Sequence, residues 1–347
     1  MPDGPMPVPS GPRVSVIVTA WNVAPYIETA LQSVLDADLD RPEIIVVDDG
    51  SSDETCARID AVMRRNQGRA IWRPVYLAGN TPGGVGAAAN IGLDEAHGDM
   101  VVFLDGDDWL NPDVLRRALD RLDGSGADML FSDCLDFLAP EGRMVGYPDA
   151  RLWAMAEGAP TAQALRSALL RFAPMPWRKI YRRAFLEREK IRFHVGDYFF
   201  EDTVHHWDAV LAARKITLMR APLHTHRVGS EGQTIAGRGR KFLAIFGHHD
   251  RIRESLVRRD ALAAHEADLA AWLIRHAWWA VERIDAPGLY AFYDTARRRF
   301  AVHDPAQLDL ALQDAHLPPR AAALLAALIQ GDRTAFAVMF VQVMLPR

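Results

Sequence analysis

Cysteine is nearly absent: Cys56 and Cys134 are the two among 347 residues. That is too few for the disulfide framework of a small secreted fold, so a reducing compartment is expected. Long apolar runs are also lacking. The longest, AAALLAALI from Ala321 to Ile329, is about half of the roughly 20 residues that cross a bilayer, so no membrane span is expected. Basic charge is not in excess either. With 40 Lys and Arg against 45 Asp and Glu, the formal net charge is -5, which makes no electrostatic case for a nucleic-acid partner. The first 12 residues, MPDGPMPVPSGP, have no apolar core and read as a flexible Pro/Gly tail rather than a signal peptide.

What is present is ordinary globular material, 49% hydrophobic and 24% charged, long enough for one large or two modest domains. Through the first third, β and α patterns alternate. VSVIVTA (Val14 to Ala20) and EIIVVDD (Glu43 to Asp49) are short β-branched runs of the kind buried on both faces of a parallel sheet. Between them, Ile27, Leu31, Val34 and Leu35 fall at helical spacing; after them, Ile59, Val62 and Met63 repeat it. Two βα units in succession predict a parallel sheet with right-handed crossovers. AIWRPVYLA, a Gly-rich loop, a short helix AAANIGLDEA and the strand MVVFLD extend it.

That last strand runs into Asp105, Gly106, Asp107 and Asp108, and the second strand ends in Asp48, Asp49 and, shortly after, Asp53. In open α/β sheets ligands bind at these C-terminal strand ends. Crowded carboxylates are costly unless protonated, hydrogen-bonded or neutralised by a cation. A hard divalent ion, Mg²⁺ or Mn²⁺, needs one or two of them and completes its shell with water and phosphate oxygens. Helix capping accounts for Asn111 and Pro112, with Asp108 as the other cap candidate, but not for Asp105 and Asp107.

The blocks VSVIVTAWN, EIIVVDDGSSDET, GGVGAAANIG and FLDGDDWLNPDVL, in that order, closely resemble the nucleotide-sugar half of family 2 glycosyltransferases, inverting enzymes of the GT-A fold. PWRKIYRRAFLEREKIRF, FFEDTVHHWDAV and LHTHRVGSEGQTI resemble the acceptor half. The resemblance implies an α/β fold with a Rossmann-like, mostly parallel sheet flanked by helices and a helical C-terminal extension. It implies a tail at 1–12, a GT-A domain at 13–236 (nucleotide-sugar half about 13–135, acceptor half about 136–236) and the extension at 237–347. By the family pattern, Thr19, Ala20, Asn22 and Asp49 line the nucleoside site, with Asp49 accepting from the base. Asn90 and Gly106 belong to the nucleotide-sugar site as well. Asp105 contacts ribose and sugar, and shares with Asp107 the metal that bridges the diphosphate. The general base falls on the acidic pair, Asp202 in preference to Glu201, while Lys179 and Arg227 meet phosphate or acceptor. The implied donor is a UDP-sugar, the cofactor Mn²⁺ or Mg²⁺, and the acceptor a glycan or lipid-linked saccharide of a bacterial-type surface glycoconjugate. Two departures stand out. Ala89 replaces the arginine of the family's Ala-Arg-Asn-x-Gly, with Arg73 as a candidate substitute, and Trp21 replaces a tyrosine.

Two rival readings remain. Gly84-Val85-Gly86-Ala87-Ala88-Ala89 fits the dinucleotide fingerprint of an NAD-dependent oxidoreductase, although two complete βα units precede it and a ribose contact needs one acid. A non-catalytic nucleotide-sugar-binding module would keep the sheet and lose the acids. Elsewhere, His205 and His206 are adjacent on a helix and make a poor metal pair, His224 and His226 read as strand-end polarity on one face, and His248 and His249 read as surface. The basic WRKIYRR fits a phosphate or acceptor contact. From about Ala236 the pattern is helical, with an apolar face around Leu269, Trp272, Ile274, Trp278 and Trp279. Core packing, a homodimer contact and peripheral contact with the inner face of the membrane are all open for this extension, and the expected location is the cytoplasm.

Overall fold

The computed structural model describes residues 11–82, 84–196, 200–229 and 239–344. The tail up to residue 10 and the end of the LHTHRVGSEGQTI block from Ser230 lie outside them. Strands β1 (Val14–Ala20), β2 (Glu43–Asp48), β3 (Ile71–Tyr76) and β4 (Met100–Asp105) alternate with helices α1 (Ile27–Leu35), α2 (Thr55–Arg65) and α3 (Gly84–Asp94). All pairings among these strands are parallel, in the order β3-β2-β1-β4. Every residue of β2 is buried and so is all of β1 except the half-buried Thr19, as strands covered on both faces require. Register sets Ala20 beside Asp48 and Thr19 beside Asp105, which levels the acidic strand ends.

Beyond β4 the sheet is mixed. The chain forms β5 (Trp109–Leu110), α4 (Pro112–Ser125), β6 (Met129–Leu138), β7 (Arg143–Gly146), α5 (Ala150–Glu157), α6 (Ala162–Leu169), β8 (Lys179–Arg182), α7 (Arg183–Arg188), α8 (Glu201–Ala212) and β9 (Ile216–Val228). Among the described residues, nine strands make one sheet, continuing β4-β8-β6-β9-β5 with β7 beside β6. The short β5 pairs antiparallel with β9, setting Trp109 beside Thr225 and Leu110 beside His224, so the turn after β4 is held against β9. Asn111 caps α4 by accepting from the Val114 N–H at 3.2 Å, and Pro112 occupies the first turn.

Six helices follow: α9 (Ala244–Arg258), α10 (Leu262–Val281), α11 (Leu289–Phe300), α12 (Pro305–Asp314), α13 (Pro319–Gln330) and α14 (Arg333–Met344). They cover one face of the sheet, and their apolar core runs unbroken from Ile17 and Phe103 through Trp207 to Phe292 and Phe336. α1, α2 and α4 fill the other face through Leu31, Ile59 and Leu115. α3 packs tightly on the sheet because its inner face is small: a Cβ on Gly92 would lie 2.3 Å from Ile17 Cγ2. Ala89, on the same helix, is 3% exposed. The missing arginine is therefore replaced by a residue packed into the core. No helix among the described residues is long and apolar enough to cross a membrane.

Candidate active site

The acidic turn after β4 divides its carboxylates. Thr19 Oγ1 donates to Asp105 Oδ1 at 3.1 Å, and the Gly106 N–H donates to the Thr19 carbonyl at 2.8 Å. A Cβ on Gly106 would sit 3.0 Å from that carbonyl, so the turn needs glycine to close. Asp108 points inward: it is 1% exposed, accepts from the Arg227 N–H at 2.7 Å, and lies 3.5 Å from His224 Nε2. Asp108 thus ties the turn to β9. Arg227 Nε donates to the Asp107 carbonyl at 2.9 Å, with its guanidinium 4.5 Å from the Tyr26 ring and 5.0 Å from that of Trp109.

Burial raises the pKa of Asp105 to about 6, and the neighbouring charges of Asp107 and Asp202 add to it; the Thr19 bond and His226 oppose the rise. Burial raises Asp107 as well, against its own backbone N–H and against His226 and Arg227. Two like charges about 4 Å apart repel by about 4 kcal/mol at an effective dielectric near 20. Crowding of this kind pushes carboxylate pKa values up, and a dication would offset the rise.

The loops after β1 and β2 lock together. Asn22, in the left-handed region at φ 52°, donates its N–H to Ser51 Oγ at 2.8 Å and accepts from the Ser52 N–H at 2.8 Å. The Asp49 N–H donates to the Ala20 carbonyl at 2.8 Å. Asp49 is 4% exposed, and its carboxylate accepts from the Thr81 N–H at 2.9 Å and Asn80 Nδ2 at 3.2 Å. Asp48 is spent on Ser51, and Asp53 on Thr55 and the Ala24 N–H. These acids shape the loops.

The second acidic pair opens α8. Phe200, at φ 61°, turns the chain so that Glu201 and Asp202 form the first helical turn, where the helix dipole favours negative charge. Burial lifts Asp202 to about 6, opposed first by the charge of Lys179; burial and then Asp202 lift Glu201 to about 8, with Asp105 adding a smaller push. The two acidic centres therefore sit within electrostatic reach of each other. Gly86 makes room for this, since a Cβ there would lie 3.2 Å from Glu201 Cγ. Asn90 clamps the approach to α8: its Nδ2 donates to the Phe193 carbonyl at 2.8 Å and its Oδ1 accepts from the Phe193 N–H at 2.9 Å.

Several residues stand elsewhere than the sequence pattern suggests. Lys179 is fully buried, its Nζ on the carbonyls of Pro174 (2.9 Å) and Met175 (2.6 Å), so it faces Asp202 from within the core. Its neighbour Arg178 is also buried, paired with Asp149 at 2.9 Å. Arg178 and Lys179 are thus internal, while Arg182 and Arg183 of the same stretch are half-buried. Arg73 Nε bonds Glu43 Oε1 at 2.5 Å, at the start of β2 and away from the acidic strand ends, so it does not stand in for the absent arginine. His248 and His249 are buried rather than superficial, and His249 Nε2 lies 2.9 Å from His303 Nε2, because the C-terminal helices close over them. His224 is stacked on Trp177 at 3.9 Å, whereas His226, half-buried, reaches Asp136 at 3.2 Å and acts on Asp105 and Asp107. The two-residue spacing signalled the shared strand face; only the fold shows that His224 meets Asp108 while His226 acts on Asp105 and Asp107.

A Rossmann-like parallel sheet with acidic strand ends, joined to a mixed half carrying a second acidic pair, defines a transferase-type α/β fold of the GT-A class. Staphylococcus aureus TarS 1-349, solved in complex with UDP-GlcNAc, shares it with a TM-score of 0.74, covering 95% of this chain and 91% of that one at 20% identity. The mannosyltransferase PcManGT from Pyrobaculum calidifontis, solved with GDP-Man and Mn²⁺, gives a TM-score of 0.55 at 22% identity, covering 97% of this chain and 87% of that one. The chain belongs to glycosyl transferase family 2, whose family model matches residues 15–188. The putative glycosyltransferase EpsH of Bacillus subtilis (strain 168) is 28% identical over 234 residues, 62% of this chain and 61% of EpsH. TarS of S. aureus (strain Mu50 / ATCC 700699), described as a poly(ribitol-phosphate) beta-N-acetylglucosaminyltransferase, is 29% identical over 223 residues, 64% of this chain and 36% of TarS. The chain spans about three fifths of EpsH and about a third of TarS. The family resemblance in the motif order is thus shown, and the dinucleotide fingerprint is the start of α3 in a family 2 fold.

Proposed function

We propose that this chain is an inverting, metal-dependent glycosyltransferase that moves a sugar from a UDP-sugar to a hydroxyl of a glycan or lipid-linked saccharide in surface polysaccharide or glycoconjugate synthesis. The observation that carries it is the meeting of two acidic centres, Asp105 with Asp107 and Glu201 with Asp202: all four are raised by burial, Asp105 also by Asp202 and Glu201 also by Asp105. Family membership, and a shared fold with proteins solved with UDP-GlcNAc and with GDP-Man and Mn²⁺, support it.

In this reading Thr19, Ala20, Asn22 and Asp49 border the nucleoside, Asp105 and Gly106 the sugar, and Arg227 the phosphates. The donor set suits a hard cation. No three His, Cys, Asp or Glu side chains among the described residues could cage an ion, but Mg²⁺ or Mn²⁺ needs only one or two carboxylates when diphosphate oxygens complete the shell. Asp107 and Asp105 would hold it, and its charge would stabilise the leaving diphosphate. Asp202 takes the proton of the acceptor hydroxyl as that oxygen bonds to the anomeric carbon. The bond from this carbon to the diphosphate oxygen breaks on the opposite face, and its electron pair leaves with the diphosphate. Asn90 anchors the segment ahead of α8 through Phe193, and Lys179, whose pKa burial lowers well below the usual range, lies behind Asp202 on the Pro174 and Met175 carbonyls. We assign the nucleotide-sugar half to about 13–135, the acceptor half to about 136–236 and the helical extension to 237–347. The free thiols of Cys56 and Cys134 suit a reducing cytoplasm.

A screen of nucleotide sugars for donor hydrolysis, with and without Mn²⁺, tests this. One or two UDP-sugars are expected to turn over, and chelation or Asp107→Asn is expected to abolish turnover. Metal-independent hydrolysis that persists in the variant would refute the mechanism.

A further inference from the structure

Next to the acidic pair a cavity of about 340 Å³ lies between α8 and α10, near the lower end of the roughly 300 to 1,000 Å³ usual for small-molecule sites. Phe200 and Thr203, which flank Glu201 and Asp202 in the chain, both line it. α8 adds His206 and Trp207, and α10 adds Trp272, Arg275 and Trp279, at the three- and four-residue spacing that puts side chains on one helix face. The second wall thus comes from the C-terminal helices.

Arg275 is the unusual member. It makes no hydrogen bond or ion pair among the described residues, whereas Arg171 at the same cavity is held by Asp314 at 2.8 Å. Burial, and then the charge of Arg171, pull the Arg275 pKa down to about 10; Asp268 and Asp314 oppose this from a distance. Both acids are already engaged, Asp268 by His265 at 2.9 Å and Ser167 at 2.7 Å, and Asp314 by Arg171. Trp207 Nε1 and His206 Nδ1, on residues each 1% exposed, are buried without a hydrogen-bond partner. Buried polar groups left unpaired are costly, and the half-buried Arg275 keeps its guanidinium open to the cavity.

We propose that this cavity is an acceptor subsite for a saccharide unit that carries an anionic substituent, a carboxylate or a phosphate. The proposal rests on the transferase reading of Asp202. Arg275 pairs with the anion, since its planar fork matches carboxylate and phosphate oxygens. The aromatic walls take the C–H faces of the sugar ring. Asp202 itself does not line the cavity, so the subsite holds a unit of the acceptor beside the one whose hydroxyl reacts. The C-terminal helices then select the acceptor by charge.

Calorimetric titration of the full chain tests this with glucuronic acid and glucose 6-phosphate as probes and with glucose and inorganic phosphate as controls. Both anionic sugars are expected to bind saturably, each control roughly tenfold or more weaker, as loss of one charge-assisted hydrogen bond implies. Arg275→Gln, with its fold checked by circular dichroism, is expected to lower anionic-sugar affinity about tenfold, and Arg275→Lys, which keeps the charge but not the fork, to recover only part of it. Equal binding of glucose, equal binding of inorganic phosphate, no binding of either anionic sugar, or full affinity in Arg275→Gln overturns the subsite. UDP-sugar hydrolysis by the wild type, run in parallel, separates the two readings. Hydrolysis without anionic-sugar binding removes the subsite alone, and absent hydrolysis removes the transferase reading itself.

Discussion

Asp202 and Glu201 are adjacent in the chain yet suited to different tasks. Both are raised first by burial, but Asp202, opposed by Lys179, settles near 6 and Glu201 near 8. At pH 7 the first is mostly ionised and able to accept a proton, and the second is mostly protonated. A base must be ionised to act, so the rate of donor hydrolysis is expected to rise with pH through about 6 and to fall about tenfold per unit below it. Asp202→Asn should cost roughly 10²- to 10⁴-fold and erase that limb while UDP still binds. Glu201→Gln, which mimics the protonated acid, should leave the limb in place. A limb that survives in Asp202→Asn and disappears in Glu201→Gln would move the base to Glu201.

At the scale of elements, α3 anchors the segment that precedes α8. Asn90 holds both backbone groups of Phe193, ahead of the turn into α8, although the two residues are 103 positions apart. Asn90→Ala would leave a buried carbonyl and N–H unpaired, at a cost of about 1–3 kcal/mol each before relaxation. The expected result is a lowered melting temperature and a larger loss in turnover than in UDP affinity, because the clamp serves α8 and not the nucleoside loops. Equal losses would place Asn90 in the donor site itself. Much of the parallel half was legible in the sequence: buried β-branched runs ending in acids mark β1, β2 and β4, and Asn111 with Pro112 marks the start of α4. What was not legible is burial imposed by distant elements. Lys179 and Arg178 look like a basic surface in WRKIYRR because nothing local shows that α5, α6 and α8 close over them. His248 and His249 look exposed for the same reason, until α11 brings Phe300 and His303 against α9. Arg275 carried no motif signal at all, since its meaning depends on the cavity between two helices far apart in the chain.

At the scale of the whole molecule, the question is whether the C-terminal helices form an appendage or part of the core. The change from α/β to all-helical pattern near Ala236 suggests a boundary, yet the apolar cluster crosses it without a gap. Val204 and Trp207 of α8, both 1% exposed, belong to the same buried set as Phe246, Leu269 and Phe336. Fully burying a large apolar side chain contributes roughly 1.5–3 kcal/mol, so exposing even a handful of these exceeds the whole stability of a typical domain, about 5–15 kcal/mol. The full chain is therefore expected to unfold in one cooperative calorimetric transition, with matching calorimetric and van't Hoff enthalpies. A chain ending at residue 236 is expected to aggregate or to bind a hydrophobic dye. Two resolved transitions, or a stable and dye-silent truncated chain, would show that the helices fold as a separate body. The cavity wall they supply would then be able to move relative to Asp202, whereas a single transition fixes Arg275 and the base in one rigid frame.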